Sequence, residues 1–174
     1  MQDSITLKFD GIKDYLANFL LVFLAATLPI VAHIAGAPVR ILLPMHWAIL
    51  LAGLVYGWKG GALTGLLVPV VSHLISGYPL PHILPSMTVE LFAYGFLTGT
   101  FKEKLKLNAF VSVALAILVG RIIFIGSVFL FKAVEGSYLE YFQIALIPGI
   151  FGAVGQILVL PFVAKWWIEK KNNS

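Results

Sequence analysis

Residues 42–99 read LLPMHWAILLAGLVYGWKGGALTGLLVPVVSHLISGYPLPHILPSMTVELFAYGFLTG, and this stretch decides the fold. It holds an apolar run, the tight turn GWKGG, a second apolar run, the proline-punctuated SGYPLPHILP, and a third run. No alternation of period two marks strands here. Each run approaches the roughly 17–25 residues that carry a helix across a bilayer.

Working outward, the same grammar covers the whole chain. Apolar runs near 15–35, 41–57, 60–77, 85–101, 109–131 and 144–165 predict six membrane-spanning helices. The expected fold is an all-α membrane protein, a compact six-helix bundle forming a single domain over 1–174. The second run is marginal in length. Pro29 within the first predicts a kink rather than an end, because neighbouring helices accommodate the lost hydrogen bond. The loop KAVEGSYLEYFQ is expected to link the fifth and sixth spans, and the N-terminal polar stretch to lie on the membrane surface. It lacks the basic start, apolar run and small-residue cleavage site of a signal peptide.

Composition demands the same solvent. Only 11% of the 174 residues are charged and 60% are hydrophobic, with a mean hydropathy of +0.96, against about 25% charged residues in ordinary soluble domains. A single soluble core of this size leaves roughly a third of its surface wet, so lipid must cover much of this chain. An ordinary cytosolic enzyme, a nucleic-acid-binding domain and a disordered chain are all disfavoured. With no cysteine, thiolate metal sites and cysteine nucleophiles are absent. The sequence also lacks HExxH, GxSxG and a Walker loop. No catalytic residue, metal or cofactor is therefore expected.

Basic residues orient the bundle. With both termini on one side, that side holds Lys8, Lys13, Lys59, Lys102, Lys104, Lys106, Lys165, Lys170 and Lys171, nine of the 12. By the positive-inside rule both termini are expected to be cytoplasmic.

That orientation places His33, His46, His73 and His82 in the outer half. Two charges lie within spans: Glu90, roughly 8 Å deep at 1.5 Å per residue, and Arg121 near the middle of the fifth. Ionisable groups at membrane depth are costly unless paired or hydrated, and they mark candidate sites. Two readings stand together: a structural Glu90–Arg121 ion pair, or an outward polar cavity in which Arg121 meets an anionic group and Glu90 accepts from an amine or hydroxyl. Tyr94 lies one turn below Glu90 on the same face. Trp47, Tyr78 and Gln156 are further candidates for stacking and hydrogen bonding. Asn18 is too far toward the cytoplasmic side for this cavity. Gly61 and Gly65, Gly95 and Gly99, and Gly149, Gly152 and Gly155 form small-residue faces along which helices can approach closely.

The succession PMH, LAG, GYP and EL..YG between Leu42 and Gly99 resembles the substrate-binding S components of energy-coupling factor (ECF) vitamin transporters. The resemblance implies a bacterial plasma-membrane protein that captures a water-soluble vitamin or related micronutrient from outside. It further implies assembly with a transmembrane T component and two cytoplasmic ATPases, which hydrolyse ATP. Carried over by motif, His46, Glu90 and Tyr94 face the ligand, with Arg121 added by its depth. His73, His82, His33 and Trp47 complete the candidate binding set. Arg121 favours a pantothenate-like carboxylate ligand; if Glu90 neutralises it, amine- or hydroxyl-rich ligands fit equally. The family's helix-1 docking pattern AxxxA is missing, and Ala25, Ala26 and Pro29 are the substitutes expected to form the docking face. The competing reading is a structural membrane protein of the rod-shape MreD type with no ligand pocket.

Overall fold

A computed structural model describes residues 6–173, apart from the side chains of His33 and Arg40. The described residues form seven helices and no strand: α1 (Ile12–Ile34), α2 (Val39–Leu42), α3 (Pro44–Ser76), α4 (Leu84–Glu103), α5 (Ala109–Leu130), α6 (Tyr138–Leu146) and α7 (Gly149–Asn172). Four stretches are long and apolar enough to cross a membrane: Ile12–Ala32, Pro44–Ser76, Ala109–Leu130 and Tyr138–Asn172.

Five helices are long, rather than the six expected, because the second and third expected spans run together in α3. They are not collinear. Gly57 interrupts α3 with φ 68° and ψ −164°, a conformation that costs glycine nothing and other residues strain. A side chain there would also overlap the Glu103 carboxylate, which accepts the Trp58 N–H at 3.1 Å. Eight residues of straight helix span about 12 Å, yet a Cβ on Gly61 would lie 2.8 Å from the Gly53 Cα. The chain therefore folds back at Gly57, and α3 is a helical hairpin.

Glycine lets α4 lie against this hairpin. A Cβ on Gly61 would collide with the Gly95 carbonyl, one on Gly95 with the Gly61 carbonyl, and one on Gly65 with the Leu91 carbonyl. The α3–α4 contact is the most extensive in the molecule, followed by α1–α3 and α4–α5. The core gathers Ile49, Leu50, Leu54, Val68, Leu91 and Tyr94 there, all fully or almost fully buried.

The outer helices are apolar on the outside. Leu16, Phe19 and Leu20 of α1, Leu118 and Ile122 of α5, and Phe151 and Phe162 of α7 are exposed. Only 28% of the most apolar window of α1 is buried, against 56% for α3. In water that surface would be untenable; in hydrocarbon it is solvated. α4 falls outside the four apolar stretches, and its polar Ser86, Glu90 and Thr98 are buried among protein rather than facing out.

Contacts fix which ends meet. At the start of α1, Asp14 pairs with Lys171 near the end of α7, and the Lys171 ammonium lies 5.5 Å from the centre of the Tyr56 ring at the hairpin tip. With Glu103 at the same tip, the start of α1, the tip of α3 and the ends of α4 and α7 share one face, called here the terminal face.

Three local expectations change. The N-terminal stretch tucks under the hairpin instead of lying free on a surface: Leu7 is buried and its N–H donates to the Val55 carbonyl at 2.7 Å. Residues 1–5 of that stretch lie outside the described residues. The expected loop after α5 contains α6, whose N-cap Ser137 accepts from the Glu140 N–H; the S-x-x-E spacing of a capping box was there to be read. Ala25, Ala26 and Pro29 do not form an outer docking face. The two alanines are fully buried and Pro29 is buried too, because the small side of α1 is the side that packs onto α3.

Candidate functional site

Opposite the terminal face, α3 and α4 start and α5 ends. Glu90 lies about 9 Å along α4 from its start and is 2% exposed. Its Oε1 accepts from the Tyr94 hydroxyl at 2.8 Å and from Arg121 Nη1 at 2.9 Å. The first bond joins residues one turn apart on α4, as the sequence periodicity requires. The second ties α4 to α5. Two glycines give the cluster room. Gly120 leaves space for the Tyr94 ring, and a Cβ on Gly149 would lie 2.9 Å from Arg121 Nη2. Gly149 thus lets α7 close over the guanidinium.

His46 joins from α3. Its ring centroid lies 5.3 Å from that of Tyr94. The residue is 4% exposed, and among the described residues neither ring nitrogen makes a hydrogen bond of ordinary geometry, with the nearby Leu43 carbonyl interacting weakly with the ring. Buried polar groups are satisfied in the great majority of cases, so this histidine stands out. Arg121 is similar in kind. Its guanidinium carries five N–H donors, and among the described residues one of them is engaged, by Glu90.

A cavity of about 200 Å³ adjoins His46, walled by Pro29, Leu43, Met45, Tyr78, Pro79 and Met87 among others. Its walls come from α1, from the α2–α3 junction, from the loop after α3 and from α4. Pro29 therefore lines the cavity rather than an outer surface.

The remaining sequence candidates lie elsewhere. His73 Nδ1 is 2.8 Å from the Pro79 carbonyl and pins the loop after α3. His82 is exposed in that loop. Trp47 Nε1 donates to the Leu42 carbonyl at 2.8 Å, and its ring packs 3.5 Å from where a Gly155 Cβ would stand. It joins α3 to α2 and α7. The side chain of His33 lies outside the described residues. Of eight candidates, Glu90, Tyr94, Arg121 and His46 come together. Tyr78, a sequence candidate for stacking, is at the cavity wall; the walls Met45 and Met87 escaped sequence reasoning, since nothing separates a cavity methionine from a core one by spacing alone.

Gln156 on α7 is 1% exposed and its Nε2 is without a partner. Asn18 belongs to a separate cluster at the other end. Its Nδ2 donates to the Gly60 carbonyl at 3.2 Å, and Thr64 Oγ1 donates to its Oδ1 at 3.1 Å. It fastens α1 to the hairpin.

An apolar-surfaced helical bundle with four stretches long and apolar enough to cross a membrane has the build of a multi-pass membrane protein. The family model for the ECF transporter substrate-specific component matches residues 16–169, and the chain belongs to that family. It is thus a membrane substrate-binding subunit of an ECF transporter, which sets aside the rod-shape scaffold. No curated protein and no solved structure matches the chain.

Proposed function

We propose that the chain captures a small, vitamin-like, water-soluble nutrient in the cavity beside His46, with His46, Glu90, Tyr94 and Arg121 as its polar contacts. The observation that carries this reading is His46, a buried imidazole at a cavity wall whose nitrogens make no hydrogen bond of ordinary geometry among the described residues. An imidazole left unsatisfied costs folding free energy; a ligand that bonds to it recovers that cost on binding. Arg121 offers its remaining donors to the same ligand.

The Glu90–Arg121 pair shapes the choice of ligand. Arg121 alone favours a pantothenate-like carboxylate. Paired with Glu90 it is close to neutral overall, so hydroxyl and amide groups on the ligand share the recognition. The methionine and proline walls suit an aliphatic portion.

In this reading the terminal face is cytoplasmic, since nine of the 12 basic residues fall on that side of the sequence's alternation. With α3 counted as two passes, the chain crosses the bacterial plasma membrane six times. The cavity then opens outward, and the bound nutrient passes inward when the subunit works with a T component and two ATPases. ATP hydrolysis belongs to those partners.

The test is mass spectrometry of small molecules co-purifying with the detergent-extracted chain, followed by titration of the identified vitamin. Arg121→Ala and Glu90→Gln are each expected to weaken binding by at least 100-fold. Binding as tight as the parent's in both variants refutes the pocket.

A further inference from the structure

One cavity on the terminal face has no part in the reading above. It has a volume of about 490 Å³ and lies where α4 ends, α5 begins and α7 ends. It exists because α5 and α7 touch only sparsely there.

The lining is graded. Lys102, Asn108 and Lys165 stand toward the end of the bundle, while Leu54, Phe110 and Phe162 form apolar walls. Phe162 is 65% exposed and Phe110 39%, so the apolar part is continuous with the outer surface of the bundle. Asn108 caps α5, accepting the Val111 N–H at 2.8 Å, which places the positive end of a 22-residue helix at the polar rim.

Lys102 is partly buried and has no ion-pair or hydrogen-bond partner among the described residues. Among the described residues Lys165 pairs with Glu169, 3.8 Å away, and the two side chains are 74% and 60% exposed. Pairs so exposed hold little energy and leave Lys165 able to turn inward. The cleft thus combines a cation without a partner among the described residues, a second cation on α7 lining the same space, a helix N-terminus, and an apolar slot leading to the lipid.

From this arrangement we infer a binding site for an anionic phospholipid: the phosphodiester sits between Lys102 and Lys165, and an acyl chain lies along Phe110 and Phe162. The grading matches the lipid's own, charged at the interface and apolar toward the hydrocarbon. A zwitterionic lipid supplies the chains and the phosphate but brings its own ammonium toward Lys102. The inference requires only the membrane placement that the family establishes. It is independent of which vitamin binds at the far face, and failure of either idea leaves the other intact.

The full chain in detergent would be titrated with phosphatidylglycerol, or with phosphatidylcholine of the same acyl chains, and bound lipid read by native mass spectrometry. The parent is expected to retain phosphatidylglycerol at least tenfold better. Lys102→Gln and Lys165→Gln should each weaken that retention about fivefold, whereas Lys13→Gln and Lys104→Gln, on the same face but outside the cleft, should not. Glu169→Gln removes the one carboxylate lining the cleft and should strengthen retention, a gain that misfolding cannot imitate. Equal retention of the two lipids by the parent overturns the site. So does equal loss in cleft and control variants, or no gain from Glu169→Gln. Displacement of phosphatidylglycerol by millimolar inorganic phosphate overturns it as well, in favour of a soluble-anion site.

Discussion

Two buried polar clusters sit at opposite ends of the same bundle, and they differ in how completely they are satisfied. Near the terminal face, Asn18 Nδ2 donates to the Gly60 carbonyl, and the single Thr64 hydroxyl proton is shared between that carbonyl, 2.8 Å away, and Asn18 Oδ1. At the far end, Glu90 Oε1 takes two donors, but among the described residues His46 makes no hydrogen bond of ordinary geometry through its ring and Arg121 spends one donor of five. A satisfied cluster is a fastening. An unsatisfied one beside a cavity is what the proposed ligand site requires. The sequence marks both with polar residues in apolar runs; only the bonding tells them apart.

The comparison holds only if the glycine-lined α3–α4 contact keeps both clusters in register, so the largest effect is expected there. Gly95→Leu drives a side chain into the Gly61 carbonyl. Overpacking against backbone leaves no flexible neighbour to yield. Folded, monodisperse protein from detergent should be lost almost entirely, as read by size-exclusion chromatography. A variant that purified like the parent would mean that the two helices are not in this contact.

Next comes the ion pair. Arg121→Ala leaves a buried carboxylate without its partner, a change that costs about 3–5 kcal/mol. The double variant Glu90→Gln/Arg121→Gln removes both charges and should recover most of that stability without recovering ligand binding. Thermal unfolding in detergent, with and without ligand, separates the two quantities. If the double variant binds like the parent, the pair is structural only and the comparison fails.

His46→Phe sharpens the contrast most directly, because stability and binding should move in opposite directions. Removing an unsatisfied buried polar group while keeping a ring of similar size is neutral or stabilising by about 1–3 kcal/mol. The ligand-free protein should therefore melt at the same temperature or higher, and isothermal titration should show weaker binding. Loss of stability in the ligand-free protein would reveal a bond to His46 within the fold.

How far this was legible from sequence follows from what kind of information each feature needs. Helical runs, the turn at GWKGG and the juxtaposition of Glu90 with Tyr94 depend on local spacing, and Gly57 to Gly61 announce a break wherever they occur. The meeting of Glu90 with Arg121 rests on a weaker argument, that two charges at similar depth in lipid seek each other. The inward turn of Ala25 and Ala26 was not legible: a small residue on a membrane helix marks close packing but not whether the neighbour is its own chain or another. The same limit hid the role of Pro29, which reads as a kink and is also a cavity wall. His73 and His82 were grouped with His46 because half-membrane depth was the only criterion available. Their separation needs the loop path, which three prolines between Pro79 and Pro85 make unreadable by periodicity.

The smallest expected effect falls on the satisfied cluster. Asn18→Ala removes one bond to Gly60 and one from Thr64, but Thr64 keeps its bond to the Gly60 carbonyl, so neither partner is left empty. Side-chain hydrogen bonds between membrane helices average about 0.6 kcal/mol and reach about 1.7 kcal/mol. A loss within that range is expected in a denaturant titration, with ligand affinity unchanged because the cluster lies at the other end of the hairpin. The sign of the second half matters more than the size of the first. If Asn18→Ala also weakened binding, the two ends would be energetically coupled through α1 and α3, and a fastening at one end would be part of the site at the other.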